Sequence, residues 1–273
     1  MKLIFVDIDG TLTPAGTNTP PDSALCAIRS AQKLGNKVFL CTGRNLAMLS
    51  PLLPYGFDGL VASSGGYVTV GDTVIFDCPM TEEQLRTGLD ALHRNGVFCT
   101  IEAKDATWGD ANLKDFLAGT SGGNSEIERW RKALSSNLGI RPMSEYDGSP
   151  VYKIVTMCTE NSQMDEARSL LEDQFFFLVQ DVPAHGCVNG ELVNRAFDKG
   201  KGIRLVAEKL GVPISDTYGF GDSMNDVEMI QTVGHSICMA NGSEKLKAMS
   251  EYVCPAVEED GLAEAFHRYG LSE

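Results

Sequence analysis

The fold class is indicated most strongly by the first twelve residues, Met1-Lys2-Leu3-Ile4-Phe5-Val6-Asp7-Ile8-Asp9-Gly10-Thr11-Leu12. Its apolar run, Leu3 to Val6, shows no polar alternation, which is typical of a strand buried on both faces of a parallel sheet. Asp7 and Asp9 follow two residues apart, so an extended backbone would point both carboxylates the same way. Open α/β sheets bind their ligands at the carboxyl ends of such strands. Two like charges at that position indicate a divalent cation site or a division of labour between a nucleophile and an acid.

The Asp-x-Asp-Gly pattern has two other interpretations. Calcium-binding loops can open this way, but they have Gly at the sixth position and a late Glu. Here Gly is the fourth residue and Thr11-Leu12-Thr13 follow, so a calcium loop is rejected. Taken alone, the two aspartates can also be ordinary turn residues. The rest of the chain distinguishes this interpretation from a functional site.

Length and charge restrict the class of protein. The 273 residues suggest one large or two moderate domains, and a hydrophobic content of 43% is ordinary for a globular protein. The net charge is −14, without a dense cluster of Lys and Arg, which argues against nucleic acid and anionic membranes as partners. An anionic substrate would therefore need local positive charge or a metal ion.

The short apolar runs and the scattered cysteines indicate a cytoplasmic protein. No apolar run reaches the 18 residues of a membrane-spanning helix, and the apolar start is too short for a signal peptide. The eight cysteines are scattered without a Cys-x-x-Cys pair, which indicates reduced, packed thiols. The four histidines show no metal-binding spacing along the chain.

Apolar runs and turn residues divide the chain into three parts. Up to a hairpin expected at residues 67–76, strands and helices alternate as β-α-β-α-β, typical of a doubly wound sheet. Residues 80–188 instead predict a small α+β domain, with an irregular polar stretch over 104–123 and a charged helix over 126–138. The first pattern then resumes. We expect an α/β fold whose doubly wound, Rossmann-like parallel-sheet core spans 1–79 and 189–273, with an inserted α+β domain at 80–188.

Four polar sites fall at the ends of predicted parallel strands or at a helix start: Asp7/Asp9, Thr42-Gly43, Lys199 and Asp222/Asn225/Asp226. Each alone has an ordinary explanation. Thr-Gly is more often a turn, a lysine is more often solvated, and carboxylates favour helix starts because of the helix dipole. Four such sites on the ligand-binding edge of one sheet are much harder to explain that way.

The residue types suit phosphoryl transfer through an aspartyl-phosphate. Asp7 would be the nucleophile, while Asp9 would protonate the leaving alkoxide and then activate water. An ionised Asp7 can approach an anionic phosphoryl group only if charge is neutralised. Mg²⁺ would do this, held by Asp7, Asp222 and the backbone carbonyl of Asp9, and Lys199 would add a fixed positive charge.

The remaining candidates surround the expected phosphate position. The Thr42 hydroxyl and the Gly43 N–H can bind phosphoryl oxygens, and Arg44 either contacts the substrate or forms a salt bridge at the helix start. Asn225 is a further candidate for the phosphate site. Asn225 and Asp226 can also orient the lysine or a metal-bound water.

These residues resemble the four motifs of the haloacid dehalogenase-like (HAD) hydrolase superfamily. The matching stretches are Asp7-Ile8-Asp9-Gly10-Thr11-Leu12, Thr42-Gly43-Arg44, Lys199-Gly200 and Gly221-Asp222-Ser223-Met224-Asn225-Asp226. At Asp9 the chain resembles the phosphatase branch of this superfamily, since the dehalogenase branch lacks this second acidic residue. The inserted domain resembles the type IIB cap of Cof-type sugar-phosphate phosphatases. One departure is Ser64-Gly65-Gly66, where many Cof-type members carry Asn-Gly-Ala, which affects a side-chain contact near the phosphate site.

The expected function is that of a Mg²⁺-dependent phosphomonoester hydrolase acting on small phosphorylated metabolites such as sugar phosphates. A hexose-phosphate phosphomutase is the alternative, since some mutases resemble this core and cap type. A signalling receiver module also uses a phosphorylated Asp, a metal and a Lys. Receivers are short single domains, however, so the large insertion and Asp9 argue against that class.

The inserted domain would exclude water and select the substrate. The residues to test there are Trp108, Lys153, His185 and Asn189, although each is more typical of a structural role. The sequence leaves open whether the protein is a monomer or a homodimer.

Overall fold

The computed structural model describes residues 1–119, 139–182 and 187–273, which divide into two compact units. Unit 1 comprises Met1–Arg44, Met48–Asp77 and Phe197–Glu273, and unit 2 comprises Asn45–Ala47 and the described part of Cys78–Ala196. Unit 2 is therefore inserted between two segments of unit 1. The boundary predicted at residues 188 and 189 falls inside a strand of unit 2, Cys187–Asn194.

The bounds of the elements are as follows. The strands are β1 (Leu3–Val6), β2 (Lys37–Cys41), β3 (Gly59–Ala62), β4 (Tyr67–Val70), β5 (Thr73–Asp77), β6 (Phe98–Ala103), β7 (Thr107–Gly109), β8 (Ile140–Pro142), β9 (Val151–Cys158), β10 (Phe175–Val182), β11 (Cys187–Asn194), β12 (Thr217–Gly221), β13 (His235–Met239) and β14 (Tyr252–Cys254). The helices are α1 (Asp22–Lys33), α2 (Leu46–Leu49), α3 (Glu82–Arg94), α4 (Leu113–Gly119), α5 (Asp165–Leu171), α6 (Lys199–Leu210), α7 (Val227–Thr232), α8 (Glu244–Met249) and α9 (Gly261–Arg268).

Unit 1 is built on a sheet of order β14-β13-β12-β1-β2-β3-β4-β5. Its strands run parallel from β14 to β3, and β4 and β5 add an antiparallel hairpin. Val6, at the end of β1, pairs with Leu40 on one side and Phe220 on the other. Because parallel strands end at the same edge, this register brings the residues after β1, β2 and β12 together. The arrangement confirms the predicted α/β class.

Helices cover both faces of this sheet, as its fully buried strands require. Phe5 stacks on Phe39 at 5.2 Å between ring centroids and lies in one cluster with Ile203 of α6. Successive strand residues alternate faces. Phe220, on the other face, contacts Phe266 of α9.

Unit 2 contains a sheet of order β10-β11-β9-β6-β7-β8. Its pairs are antiparallel except that β7 and β8 are parallel. One face carries a buried core that includes Leu92, Ile101, Trp108 and Ile154, with α3 and α5 contributing to it. A Thr81–Gln84 capping box starts α3, each residue accepting the other's backbone N–H.

Three strands of unit 2 were not predicted from the sequence. The stretch expected to be irregular over 104–123 contains β7, and neither β8 nor β11 was predicted. The helix predicted over 126–138 lies outside the described residues. Within 1–119, 139–182 and 187–273, none of the helices combines the length and apolar character that crossing a bilayer requires.

Candidate active site

Asp7, Lys199 and Asp226 form a buried ion cluster at the carboxyl edge of the unit 1 sheet. Lys199 Nζ donates to Asp7 Oδ1 at 2.7 Å and to Asp226 Oδ1 at 2.6 Å, and it lies 3.4 Å from Asn225 Oδ1. Lys199 begins α6, whose N-cap residue Asp198 accepts a hydrogen bond from the backbone of the first turn. The three ion-cluster side chains are almost inaccessible to solvent. The ammonium therefore fixes the Asp7 carboxylate in one orientation.

Asp222 brings a third carboxylate to this cluster. Carboxylate oxygens of Asp7, Asp222 and Asp226 all lie within 4.8 Å of one another. Asp226 Oδ2 already accepts the backbone N–H groups of Asp222 (3.1 Å) and Ser223 (3.2 Å), so that residue shapes the turn after β12. Asp222 Oδ1, by contrast, is buried without a hydrogen-bond partner among the described residues. A buried, unsatisfied carboxylate oxygen beside two other carboxylates suits a hard divalent cation.

The pKa values reflect an excess of negative charge. Burial raises the pKa of Asp7 well above its ordinary value, and the charge of Asp226 raises it further. Burial and the charge of Asp226 also raise the pKa of Asp222 to about 7. Burial alone would lower the pKa of Lys199, but the charges of Asp226 and Asp7 outweigh it, so the pKa is raised and the ammonium persists. One ammonium cannot balance three carboxylates, and a bound cation would restore the balance.

Asp9 lies outside the converging carboxylates because its side chain is held by Arg44. The guanidinium donates from Nε to Asp9 Oδ2 at 2.9 Å and from Nη2 to Oδ1 at 2.6 Å. Arg44 Nη1 donates to Asn18 Oδ1 at 2.6 Å, and the arginine side chain is only 9% exposed. The structure thus shows Arg44 in a salt bridge with Asp9, the residue expected to act as the general acid.

Thr42 and Gly43 follow β2 at the same edge. The Thr42 hydroxyl accepts the Arg44 backbone N–H at 3.2 Å, and a hydroxyl in that role can still donate its own proton. Ser64 Oγ lies 3.4 Å from the position that a Cβ on Gly43 would occupy. Ser63 and Ser64 both have positive φ angles, 49° and 58°, which are unusual for residues other than glycine. The Ser64 hydroxyl thus takes the place beside Gly43 at the position where many Cof-type members have Asn.

Two glycines permit close approaches that assemble the site. A Cβ on Gly10, whose φ is 84°, would overlap the Asp222 carboxylate. A Cβ on Gly65, whose φ is 100°, would overlap the backbone carbonyl of Asp198, directly before Lys199. The loop after β3 therefore supports the start of α6, a role for Gly65 that the sequence analysis missed. Asn18 was also missed, although a polar residue in the loop after Asp9 is a signal for it.

The candidates in unit 2 have structural partners where they are described. Trp108 is buried and packs edge-on against Tyr146 at 5.1 Å between ring centroids. Lys153 Nζ bridges Glu191 Oε1 at 2.8 Å and Glu102 Oε2 at 3.2 Å, which accounts for its burial. Asn189 is buried on β11. His185 lies outside the described residues.

Known proteins match this chain over nearly its whole length. A relative in Bacillus subtilis (strain 168), YkrA, is 28% identical over 99% of this chain and 98% of its own, and its name places it among phosphatases without a substrate. A phosphoglycolate phosphatase of Methanothermobacter thermautotrophicus is 26% identical over 98% of this chain and 99% of its own. The solved structure of a HAD subclass IIB sugar phosphatase covers 99% of this chain and 100% of its own, with a TM-score of 0.78 at 24% identity.

The likeness to the solved structure shows the fold, and the names of the relatives agree with the predicted enzyme class. The sequence model of haloacid dehalogenase-like hydrolases matches residues 4–266, nearly the entire chain. That span includes every motif from which the resemblance was drawn, from Asp7 to Asp226. The predicted family is therefore confirmed: this chain is an enzyme of the haloacid dehalogenase-like hydrolase family.

Proposed function

We propose that the chain is a Mg²⁺-dependent phosphomonoester hydrolase of small phosphorylated metabolites such as sugar phosphates, working through an aspartyl-phosphate at Asp7. The observation that carries the proposal is the buried Asp7 carboxylate, oriented by Lys199 beside the unsatisfied oxygen of Asp222. A carboxylate fixed in this way is a suitable nucleophile for an anionic phosphoryl group, since positive charge lies next to it.

In the first step, an Asp7 oxygen attacks the phosphorus and the bond to the substrate's alkoxide oxygen breaks. Asp9 supplies the proton that this leaving oxygen takes up. Thr42 and the Gly43 N–H donate to the phosphoryl oxygens, and Asn225 binds at the same place. The ammonium of Lys199 offsets the negative charge gathered there.

In the second step, water attacks the phosphorus of the acyl phosphate and the bond to the Asp7 oxygen breaks. Asp9, now ionised, accepts the proton of that water, which restores both carboxyl groups to their starting states. The bidentate contact from Arg44 positions the ionised Asp9 for the second transfer. Arg44 would have to loosen when Asp9 carries its proton, because a protonated carboxyl is a weaker acceptor.

The residues present fit a magnesium ion. Asp7 and Asp222 would hold it through carboxylate oxygens and Asp9 through its backbone carbonyl, with Asp226 orienting the turn that carries Asp222. When bound, Mg²⁺ would neutralise phosphoryl charge during the transfer.

The substrate class is supported by the relatives, whose names include phosphoglycolate phosphatase and sugar phosphatase. The net charge of −14 favours a compact substrate held by local positive charge over an extended polyanion. We also propose that unit 2 acts as the cap that selects the substrate, and that the enzyme works in the cytoplasm.

The test is phosphate release by Asp7→Asn from a generic phosphate ester and from a panel of sugar phosphates, with and without Mg²⁺. We expect a loss of at least about 10³-fold, with the wild type dependent on added Mg²⁺. Asp216→Asn is the matched control, since Asp216 forms a partly exposed ion pair with Lys2. Wild-type turnover in Asp7→Asn would refute the mechanism. Isomerisation of a hexose phosphate without phosphate release would support the mutase alternative.

A further inference from the structure

Three different metal-binding side chains converge in unit 2, where the sequence showed no metal-binding spacing. His93 lies in the last turn of α3, Cys99 in β6 and Asp110 directly after β7. The imidazole nitrogen, the thiol sulfur and a carboxylate oxygen all lie within 4.8 Å of one another. His93 Nε2 and Asp110 Oδ2 are 3.0 Å apart.

The backbone fixes two of these three groups. The Cys99 N–H donates to Asp110 Oδ2 at 2.7 Å, and the Asp110 N–H donates to the Cys99 carbonyl at 3.0 Å. Thr100 pairs with Gly109 between them, so the β6–β7 register sets the spacing of thiol and carboxylate. A site whose ligands are placed by a hairpin loses little conformational freedom when it binds an ion.

The cluster is buried on the Cys99 side and accessible to solvent on the His93 side. Cys99 is fully buried, whereas the side chains of His93 and Asp110 are 41% and 20% exposed. An ion could therefore enter from the imidazole side and meet the sulfur at the bottom. Ligand atoms about 2.0–2.3 Å from a tetrahedral ion lie about 3.3–3.8 Å apart, so small side-chain adjustments would close the site.

We propose that His93, Cys99 and Asp110 form a binding site for a zinc-type divalent cation, separate from the carboxylate cluster of unit 1. A nitrogen, a sulfur and an oxygen suit Zn²⁺ with an exchangeable fourth ligand, whereas Mg²⁺ prefers oxygen alone. On binding, the Cys99 thiol gives its proton to the buffer and the thiolate bonds to the metal. The ion would join the end of α3 to the β6–β7 hairpin and stabilise unit 2. This site does not depend on the proposed phosphatase activity.

The test uses Co²⁺ as a spectroscopic probe of the full chain without a histidine tag, in excess Mg²⁺. We expect about one equivalent of Co²⁺ to produce the near-ultraviolet charge-transfer absorption of a thiolate ligand, and Zn²⁺ to abolish it by displacement. Cys99→Ser should eliminate the absorption, and His93→Gln should weaken binding by at least about tenfold. Cys158→Ser, which changes another buried thiol of unit 2, should leave it intact, as should Asp7→Asn.

The wild type without this absorption would overturn the proposal and leave His93 and Asp110 as an ion pair only. Absorption retained in Cys99→Ser would assign the signal to another thiol and would equally overturn it. If Cys99→Ser fails to fold, His93→Gln and Asp110→Asn decide the question, since both side chains are partly exposed. Unchanged Co²⁺ affinity in both would refute the site.

Discussion

Replacing Lys199 with Met should destabilise unit 1 before any substrate is involved. The lysine side chain is 1% exposed and bridges Asp7 and Asp226, whose side chains are 7% and 0% exposed. Met has a similar length and leaves no large cavity, so the dominant effect is electrostatic. Removing the ammonium leaves two buried carboxylates facing each other without a counter-charge.

The size of the effect follows from this burial. Breaking a buried ion pair by removing one partner typically costs about 3–5 kcal/mol. At about 2–4 °C per kcal/mol for a unit of this size, the melting temperature should fall by roughly 6–20 °C. Lys2→Met is the matched control, because the ion pair of Lys2 with Asp216 is partly exposed at the surface, and surface pairs contribute about 0–1 kcal/mol.

The assay is thermal unfolding without metal, together with hydrogen exchange of the β1 and β12 amides, which reports the opening of unit 1 alone. Added Mg²⁺ should recover part of the lost stability, because the ion can offset the charge that Lys199 no longer offsets. Adding Asp226→Asn to Lys199→Met should also recover part of it by removing one carboxylate. A melting temperature for Lys199→Met equal to that of Lys2→Met would refute the argument.

Three further predictions concern other parts of the site. The pKa of Asp222 is about 7 in the folded protein against an ordinary 3.8, so the folded state binds the extra proton. The metal-free stability should therefore fall as pH rises from about 4 to about 7, by up to about 1.4 kcal/mol per pH unit, and level off above. Asp222→Asn should remove the part of this pH dependence that Asp222 causes, and melting temperatures in EDTA between pH 4 and 8 would measure it. An unchanged dependence of stability on pH would contradict the raised pKa of Asp222. Arg44→Met should lower kcat by up to about 10²-fold, because Asp9 loses the bidentate hydrogen bonds that position it. Arg44→Lys should not restore kcat, since lysine cannot form the bidentate contact. Steady-state kinetics beside the exposed control Arg29→Met would show this, and wild-type kcat in Arg44→Lys would speak against a positioning role. Gly65→Ala should lower the free energy of unfolding by at least about 1–3 kcal/mol, because its φ is 100° and the added Cβ overlaps Asp198. Gly56 has a φ of 79° and no neighbour within 4 Å, so Gly56→Ala should show only the cost of the backbone strain. Equal denaturation midpoints for these two glycine variants would rule out the contact as the cause.

The architecture of unit 1 could be predicted because its strands have uninterrupted apolar patterns that end in polar residues. Leu3–Val6 and Lys37–Cys41 each lead directly to a site residue, and parallel strands end at a common edge. The convergence of Asp7 and Asp222 followed from that geometry, whereas Lys199 reaches Asp7 from the start of α6.

The missed features depend on contacts that no local pattern encodes. The sequence Cys187–Asn194 mixes apolar and polar residues on a strand buried on both sides, so it shows neither alternation nor a continuous apolar run. The Asp9–Arg44 pair joins residues 35 positions apart, and only the folded register of β1 and β2 reveals it. The His93, Cys99 and Asp110 cluster likewise combines a helix with a hairpin, which gives no recognisable linear motif.

The place of β1 between β2 and β12 affects how the protein is made on the ribosome. β1 and β2 are synthesised early, but β12 follows only after the whole of unit 2 has emerged. Until then β1 is an exposed, uncharged strand edge on a nascent chain, the kind of edge that invites aggregation. Slow translation through unit 2 or a shortage of chaperones would therefore reduce the yield of the enzyme without altering any property of the finished molecule.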